Sequence, residues 1–562
     1  MKKILCFMLL FAFSANSQTK ITQVEKDKQI GLVWGLLKYH HPDISKGLYN
    51  WDFELLHFLE KVENLDEQEK LNTELLVFIK KFNKPKTRFK NNPIKINSSK
   101  IFKKNLNYDW IEEIPFDSEL RSKLTKIKNN NAVGDYYASL GKLNKMLSFS
   151  NEKGIENFKP KLKNHRLLEF FSFWNIIQYW NVNKYLTDSN WLQVLEELTA
   201  VFSDATTIDK YEVAKLKMFA KLNDSHSYMT SMFYYNTQLN FGPTFGTEII
   251  NDSIKVTSIY NKTLSQNDTI NLGDVILEIN DLSVTKYIND RFSELFSSSN
   301  KTYLRELINR FVLRNNKNSL KVKVLRKNGR IESKTITLYK TFKVENFERL
   351  FKPDNSDWRK IAPKISCINL SKISSKKFAK VFKENKNDEA IILDLRNYPK
   401  HLRIKDFSKV LFPNKKTFIK VLLPVKSNPS YGELGINAPL KIIADPFKVG
   451  KKNSNYYKGK IVLLVNRKTG SMAEYFGMAI QQSPNCITIG EQTMGAVMNI
   501  ASATLPDKQK FYFTGAGAFY PNGDRVQRNG LKIDYYIKES AINYNPNLYI
   551  EQAIKIIKKS IN

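Results

Sequence analysis

Two short runs in the last third of the chain, Ala390–Leu395 and Lys460–Val465, are apolar at all but one position each. Neither run alternates, so neither suits a sheet with one wet face; strands of this kind belong to a parallel sheet covered on both sides. The second run passes through Asn466-Arg467-Lys468-Thr469-Gly470 into a helical pattern beginning near Ser471. Strand, turn and helix in that order commit this part of the chain to α/β architecture, in which reacting groups gather at the C-terminal ends of strands.

At 562 residues the chain exceeds a single core, so several domains are expected. Slid against itself, the sequence lays Val33-Trp34-Gly35-Leu36-Leu37-Lys38-Tyr39 over Phe173-Trp174-Asn175-Ile176-Ile177-Gln178-Tyr179, and Trp51 over Trp191 without a gap. Each copy predicts a helix, an aromatic-rich break and a second amphipathic helix from Trp51 or Trp191. The paired Trp and Tyr residues read either as packing anchors or as the wall of a substrate vestibule. The stretch from about Lys80 to Lys163 is rich in Lys and Asn and predicts a connection with short helices. From about Phe241 the pattern turns to strands: Ile254–Ile259 alternates, Leu272–Asn280 follows, then a helix near Lys286–Phe296 and a strand at Leu320–Leu325.

Lys2 and Lys3, the apolar run Ile4–Phe13 and the small residues Ala15-Asn16-Ser17 ahead of Gln18 read as a cleaved export signal, with a retained N-terminal anchor as the other reading. The apolar run is too short to span a bilayer, and no later segment is apolar for long enough. Removal of Cys6 leaves Cys367 and Cys486, hence at most one intramolecular disulfide. The net charge of +34 invites a polyanion partner. The lysines, however, are scattered among Asn and Ile, with no basic stripe interleaved with aromatics, so no specific nucleic acid is expected. Two mature cysteines and dispersed histidines lack ligand spacing, which argues for no metal and no other cofactor.

A serine opening a helix beyond a buried strand presents its hydroxyl where free N–H groups and the helix dipole favour a developing oxyanion. Ser471-x-x-Glu474 is equally a capping box, a local device worth ~1 kcal/mol. The wider pattern adds Gly470-Ser471-Met472-Ala473-Glu474, Ile489-Gly490-Glu491-Gln492-Thr493-Met494-Gly495 and Gly530-Leu531-Lys532-Ile533-Asp534. In order and spacing these resemble the tail-specific (C-terminal processing) and tricorn-type serine peptidases. Asp394-Leu395-Arg396-Asn397 resembles that family's strand-end motif, and Gly273-Asp274-x-Ile276-Leu277-x-Ile279-Asn280 resembles a PDZ signature. The resemblance implies a multidomain α/β protein. It would comprise a signal peptide at 1–17, a helical N-terminal region at 18–240 with the repeat, a small β-rich PDZ-like domain at 241–340 and a C-terminal α/β (crotonase-like) catalytic domain at 341–562. It further implies an exported, periplasmic or secreted serine endopeptidase acting on polypeptide substrates, in unstructured segments or C-terminal tails. A PDZ-like module would capture an extended chain end by strand addition; a small β-rich spacer is the alternative.

The resemblance makes Ser471 the nucleophile. Where one branch of the family carries a lysine base this chain has Ala496, which sets the lysine dyad aside. The tricorn-like branch uses a histidine in a Ser-His pair ahead of the PDZ region, and Leu222-Asn223-Asp224-Ser225-His226-Ser227 matches it, with His226 as general base and Ser225 as accessory serine. His226 also reads as a core or capping histidine beside Asp224. Where that branch carries an orienting carboxylate this chain has Gln527, an amide that can align an imidazole but cannot neutralise imidazolium; Asp224 is an alternative acid. In place of the family's paired glycines stand Asn397-Tyr398-Pro399-Lys400-His401. Proline has no N–H to give, so the oxyanion donors are expected at Met472 N–H and at Lys400. A catalytically impaired relative that binds peptides would explain Ala496, Gln527 and Pro399 and stays open as the alternative.

Overall fold

The computed structural model describes residues 19–82, 101–130, 133–141, 146–228, 231–352, 354–425, 429–433 and 445–561; the export signal read at 1–17 lies outside them. The two halves of the repeat fold alike. Helices Gln23–His40 and Lys163–Trp180 are each followed by a 3-10 turn, Ile44–Lys46 or Lys184–Leu186, and by a second helix, Trp51–Lys61 or Trp191–Ser203. In the first copy the Trp34 and Trp51 indoles each donate to the other's backbone carbonyl, at 2.9 and 3.0 Å. Trp174 and Trp191 do the same at 2.8 and 3.3 Å. All four rings are buried, which favours the packing reading of these pairs.

The two long helices cross where the repeat aligns them. Asn175 Nδ2 donates to the Gly31 carbonyl at 3.1 Å, and a Cβ on Gly35 would stand 1.8 Å from Asn175 Oδ1, so the close approach requires glycine there. The core so formed is completed from far along the chain. Strands Ile500–Thr504 and Lys510–Thr514 pair antiparallel, and Ala501, Ala503, Leu505, Phe511 and Phe513 are buried among the N-terminal helices. The Phe511 ring lies 5.0 Å from Phe173 and 5.6 Å from Phe219. The helical core thus draws on both the 18–240 and the 341–562 stretches of the chain.

Residues 245–349 build a β-rich unit with its own core. Phe245–Ile250, Ser253–Ile259, Val275–Ile279, Ser319–Leu325 and Ile331–Thr337 pair antiparallel in succession, and helices Val284–Phe292 and Lys301–Ile308 lie beside them. The expected alternating strand and the Gly273–Asn280 run fall in the second and third of these strands.

The C-terminal sheet runs Trp358–Ala362, Ile365–Asn369, Ala390–Asp394, Lys460–Val465, Cys486–Gly490, Tyr535–Tyr536, parallel from the second strand onward. Both faces are covered, as the unbroken apolar runs require. Ile391, Leu393, Ile461 and Leu463 pack toward Phe378, Phe407 and Phe476, whereas Ala390, Ile392, Val462 and Leu464 pack toward Tyr549, Ala553 and Ile557 of helix Leu548–Ile561. Cys367 and Cys486 are free thiols on strands separated by two others. Among the described residues no helix is long and apolar enough to cross a membrane.

Gly35→Ala forces a methyl into the Asn175 side chain and is expected to destabilise the protein by about 1–3 kcal/mol, the usual range for overpacking. Urea unfolding of the variant against wild type measures it.

Candidate active site

The turn that delivers Ser471 is fixed by local bonds. Thr469 Oγ1 accepts the Asn466 N–H at 3.0 Å and donates to the Leu395 carbonyl at 2.9 Å, which ties the turn to the end of the neighbouring strand. A Cβ on Gly470 would stand 2.2 Å from Met494 Sδ, so the turn lies directly on the 493–496 segment. Ser471 follows at φ 55° and ψ −118°, a left-handed backbone that a non-glycine residue adopts only under constraint. Its N–H donates to the Ala496 carbonyl at 2.9 Å. Its hydroxyl makes no capping bond to helix Met472–Ile480, so the capping-box reading fails at its serine.

Glu474 is buried beneath that helix start and gathers the 493–496 segment. Its carboxylate accepts from the Thr493 hydroxyl at 2.5 Å, the Gly495 N–H at 2.7 Å and the Ala496 N–H at 2.9 Å. Burial pushes its pKa up to about 7 against the pull of those donors. Ala496, at the position of the other branch's lysine, is fully buried in this segment.

The Ser225-His226 pair lies on the loop after helix Ile208–Ala220, and Ser225 reaches the same segment. Ser225 Oγ accepts the Ser299 N–H at 2.8 Å and donates to the Met494 carbonyl at 3.1 Å. Asn300 Nδ2 donates to the Thr493 carbonyl at 3.0 Å, and the Met494 N–H to the Thr469 carbonyl at 2.9 Å. His226 Nδ1 lies 3.0 Å from Thr514 Oγ1, and Nε2 has no hydrogen-bond partner among the described residues. Burial lowers the imidazole pKa, opposed by the charge of Asp224.

Gln527 is buried but bonds elsewhere than on the imidazole. Its Nε2 donates to Asp224 Oδ1 at 3.1 Å, and its Oε1 is unpartnered. Asp224 also accepts the His226 N–H at 3.1 Å, the Thr514 hydroxyl at 2.9 Å and the Thr514 N–H at 2.6 Å. Met472 is exposed at the first position of its helix, where backbone N–H groups lack intrahelical partners; Lys400 is exposed on the loop after Ala390–Asp394, next to the buried Pro399.

Two residues the sequence does not single out matter here. Thr514 lies in an aromatic strand with no motif around it. Arg467 stands four positions before the serine, in a turn, where a charged side chain is usually exposed. It is instead buried, with Nε 3.2 Å from Glu306, Nη2 2.5 Å from Glu248 and its N–H 3.3 Å from Glu491, so two carboxylates of the β-rich unit grip the turn. Lys468 Nζ stands 3.6 and 3.8 Å from the same two acids.

Residues 364–537 match the model of Peptidase family S41. No curated protein matches the chain. Among solved structures, mature CPAF complexed with lactacystin is 11% identical, with 70% of this chain and 98% of that one covered and a TM-score of 0.51. Mature CPAF alone is 10% identical over 70% and 97%, with a TM-score of 0.52. The photosystem II D1 C-terminal processing protease is 15% identical over 70% and 97%, with a TM-score of 0.36. The CPAF likeness is one of fold.

Glu474→Ala strands three buried donors. Since each costs about 1–3 kcal/mol, a loss of at least about 3 kcal/mol is expected in urea unfolding, with Glu474→Gln losing less because it keeps an acceptor.

Proposed function

We propose that the chain is a serine peptidase of family S41, whose model residues 364–537 match, with Ser471 as its nucleophile and His226 as its general base. The observation that carries the reading is the backbone of Ser471, held at positive φ beyond a parallel strand with its hydroxyl uncommitted to the helix. Support comes from the 493–496 segment, to which the Ser471 turn and the Ser225-His226 loop are both fastened.

In this mechanism Ser471 Oγ bonds to the scissile carbonyl carbon as its proton passes to His226 Nε2. The C–N bond breaks as that proton reaches the leaving amine. Water repeats the sequence on the acyl-enzyme, releasing the carboxylic acid and restoring the serine. The N–H of Met472, with Lys400 as second donor, would hold the oxyanion. Substrates are unstructured protein segments or C-terminal tails, and residues 241–340 act as the PDZ-like module that takes a free chain end as an added strand.

A fluorophosphonate probe should label wild type and not Ser471→Ala. Ser471→Ala and His226→Ala should each lose nearly all hydrolysis of a flexible peptide, and the double variant little more, because members of one catalytic unit are non-additive. Neutral imidazole is the active form and its pKa is lowered from 6.5, so kcat/KM should fall only as pH drops below about 6.5. Substrates with a free C-terminus should outcompete their amides. A labelled, fully active His226→Ala protein would refute the base assignment. Absence of labelling with peptide binding intact would make the protein an impaired, peptide-binding member.

We also propose export, on the basic, apolar and small-residue succession of residues 2–17. Intact mass of the protein from the periplasm or medium should place its first residue at or within about two positions of Gln18. Met1 retained on a cytoplasmic protein would contradict export.

A further inference from the structure

We infer that Thr514 is the positioning residue for His226, a hydroxyl bridge through which Asp224 fixes the imidazole tautomer; the inference rests on His226 being the base for Ser471. Four donors converge on the two Asp224 oxygens: the His226 N–H, the Gln527 amide, and both the N–H and the hydroxyl of Thr514. The carboxylate so placed accepts and has no hydrogen to give. The single hydroxyl hydrogen of Thr514 is therefore spent on Asp224, and its oxygen meets His226 Nδ1 at 3.0 Å as an acceptor. Nδ1 must then carry the ring hydrogen, which leaves the lone pair on Nε2, the unpartnered nitrogen.

This is the tautomer a general base needs. Asp224 cannot impose it directly, because it lies two residues before His226 and its Oδ1 takes that residue's backbone N–H. The Thr514 hydroxyl spans the gap. When Nε2 takes the serine proton, Nδ1 keeps its own, and the imidazolium charge faces the carboxylate across one oxygen atom. Gln527 belongs to this arrangement as a donor that steadies Asp224, so the bridge explains how an amide can stand where the resemblance leads one to expect an acid. Asp224, Thr514, His226 and Gln527 are all buried, which keeps water from competing for these bonds.

The test uses the full mature chain. Thr514→Val keeps the shape and the backbone bond to Asp224 and removes only the hydroxyl; Thr514→Ser keeps the hydroxyl. Thr514→Val should lower kcat roughly 10²–10⁴-fold with KM little changed, the scale on which a lost tautomer registers in a serine triad. Thr514→Ser should stay within about tenfold of wild type. Unfolding midpoints identify any variant that fails to fold. A second readout needs no turnover: in spectra of ring-15N histidine protein, the His226 signals, assigned by their loss in His226→Gln, should show the hydrogen on Nδ1 in wild type and a mixture of tautomers in Thr514→Val. A folded Thr514→Val enzyme with wild-type kcat overturns the bridge, as does a wild-type ring carrying its hydrogen on Nε2. If wild type neither hydrolyses peptides nor labels at Ser471, the peptidase reading falls, and the ring spectrum alone decides the bridge.

Discussion

The burial of Phe511 against Phe173 and Phe219 is the contact that fastens the C-terminal part of the chain to the helical core. Ser471 stands in the C-terminal α/β unit and His226 at the end of the helical region. The hairpin of 500–514 joins the two. Phe511 and Phe513 point into the helical core, and Thr514, one residue on, turns the other way to meet Asp224. Its tip is held as well: Asp507 takes the buried ammonium of Lys215 and the Tyr211 hydroxyl, and donates its own N–H to Glu169 at 3.0 Å. A buried Phe side chain contributes about 1.5–3 kcal/mol, so Phe511 and Phe513 together outweigh any one hydrogen bond at the site and set its position.

Much of this architecture was legible in the sequence, and the reasons differ by element. The parallel strands were readable because burial on both faces leaves unbroken apolar runs. The repeat was readable because two copies of one packing problem retain the same Trp spacing, and the indole-to-carbonyl pairs explain why that spacing is fixed. The positive φ of Ser471 was not readable, since it is imposed by contacts with 493–496 that no local pattern encodes. Glu474 misleads at the local level: its spacing from Ser471 says capping box, yet its carboxylate is spent on a segment that follows twenty positions later in the chain.

Buried charges were the least visible part. Arg467 sits in a turn whose neighbours are polar, and nothing near it in sequence announces Glu248, Glu306 or Glu491. A guanidinium presents its donors in several directions at once, which suits a junction where acids arrive from separate elements. Lysine in its place would offer one point charge to partners that stand apart. The turn before Ser471 is consequently referenced to the β-rich unit as well as to its own sheet.

The borrowed hairpin also bears on how the chain is made. Synthesis delivers the N-terminal helices first, with Trp174, Phe173 and Phe219, whereas the Phe511 and Phe513 side chains of the same core are made much later. Contacts this distant in sequence are slow to close and leave sticky intermediates. The helical core is therefore completed late, by strands that belong to the C-terminal part of the chain.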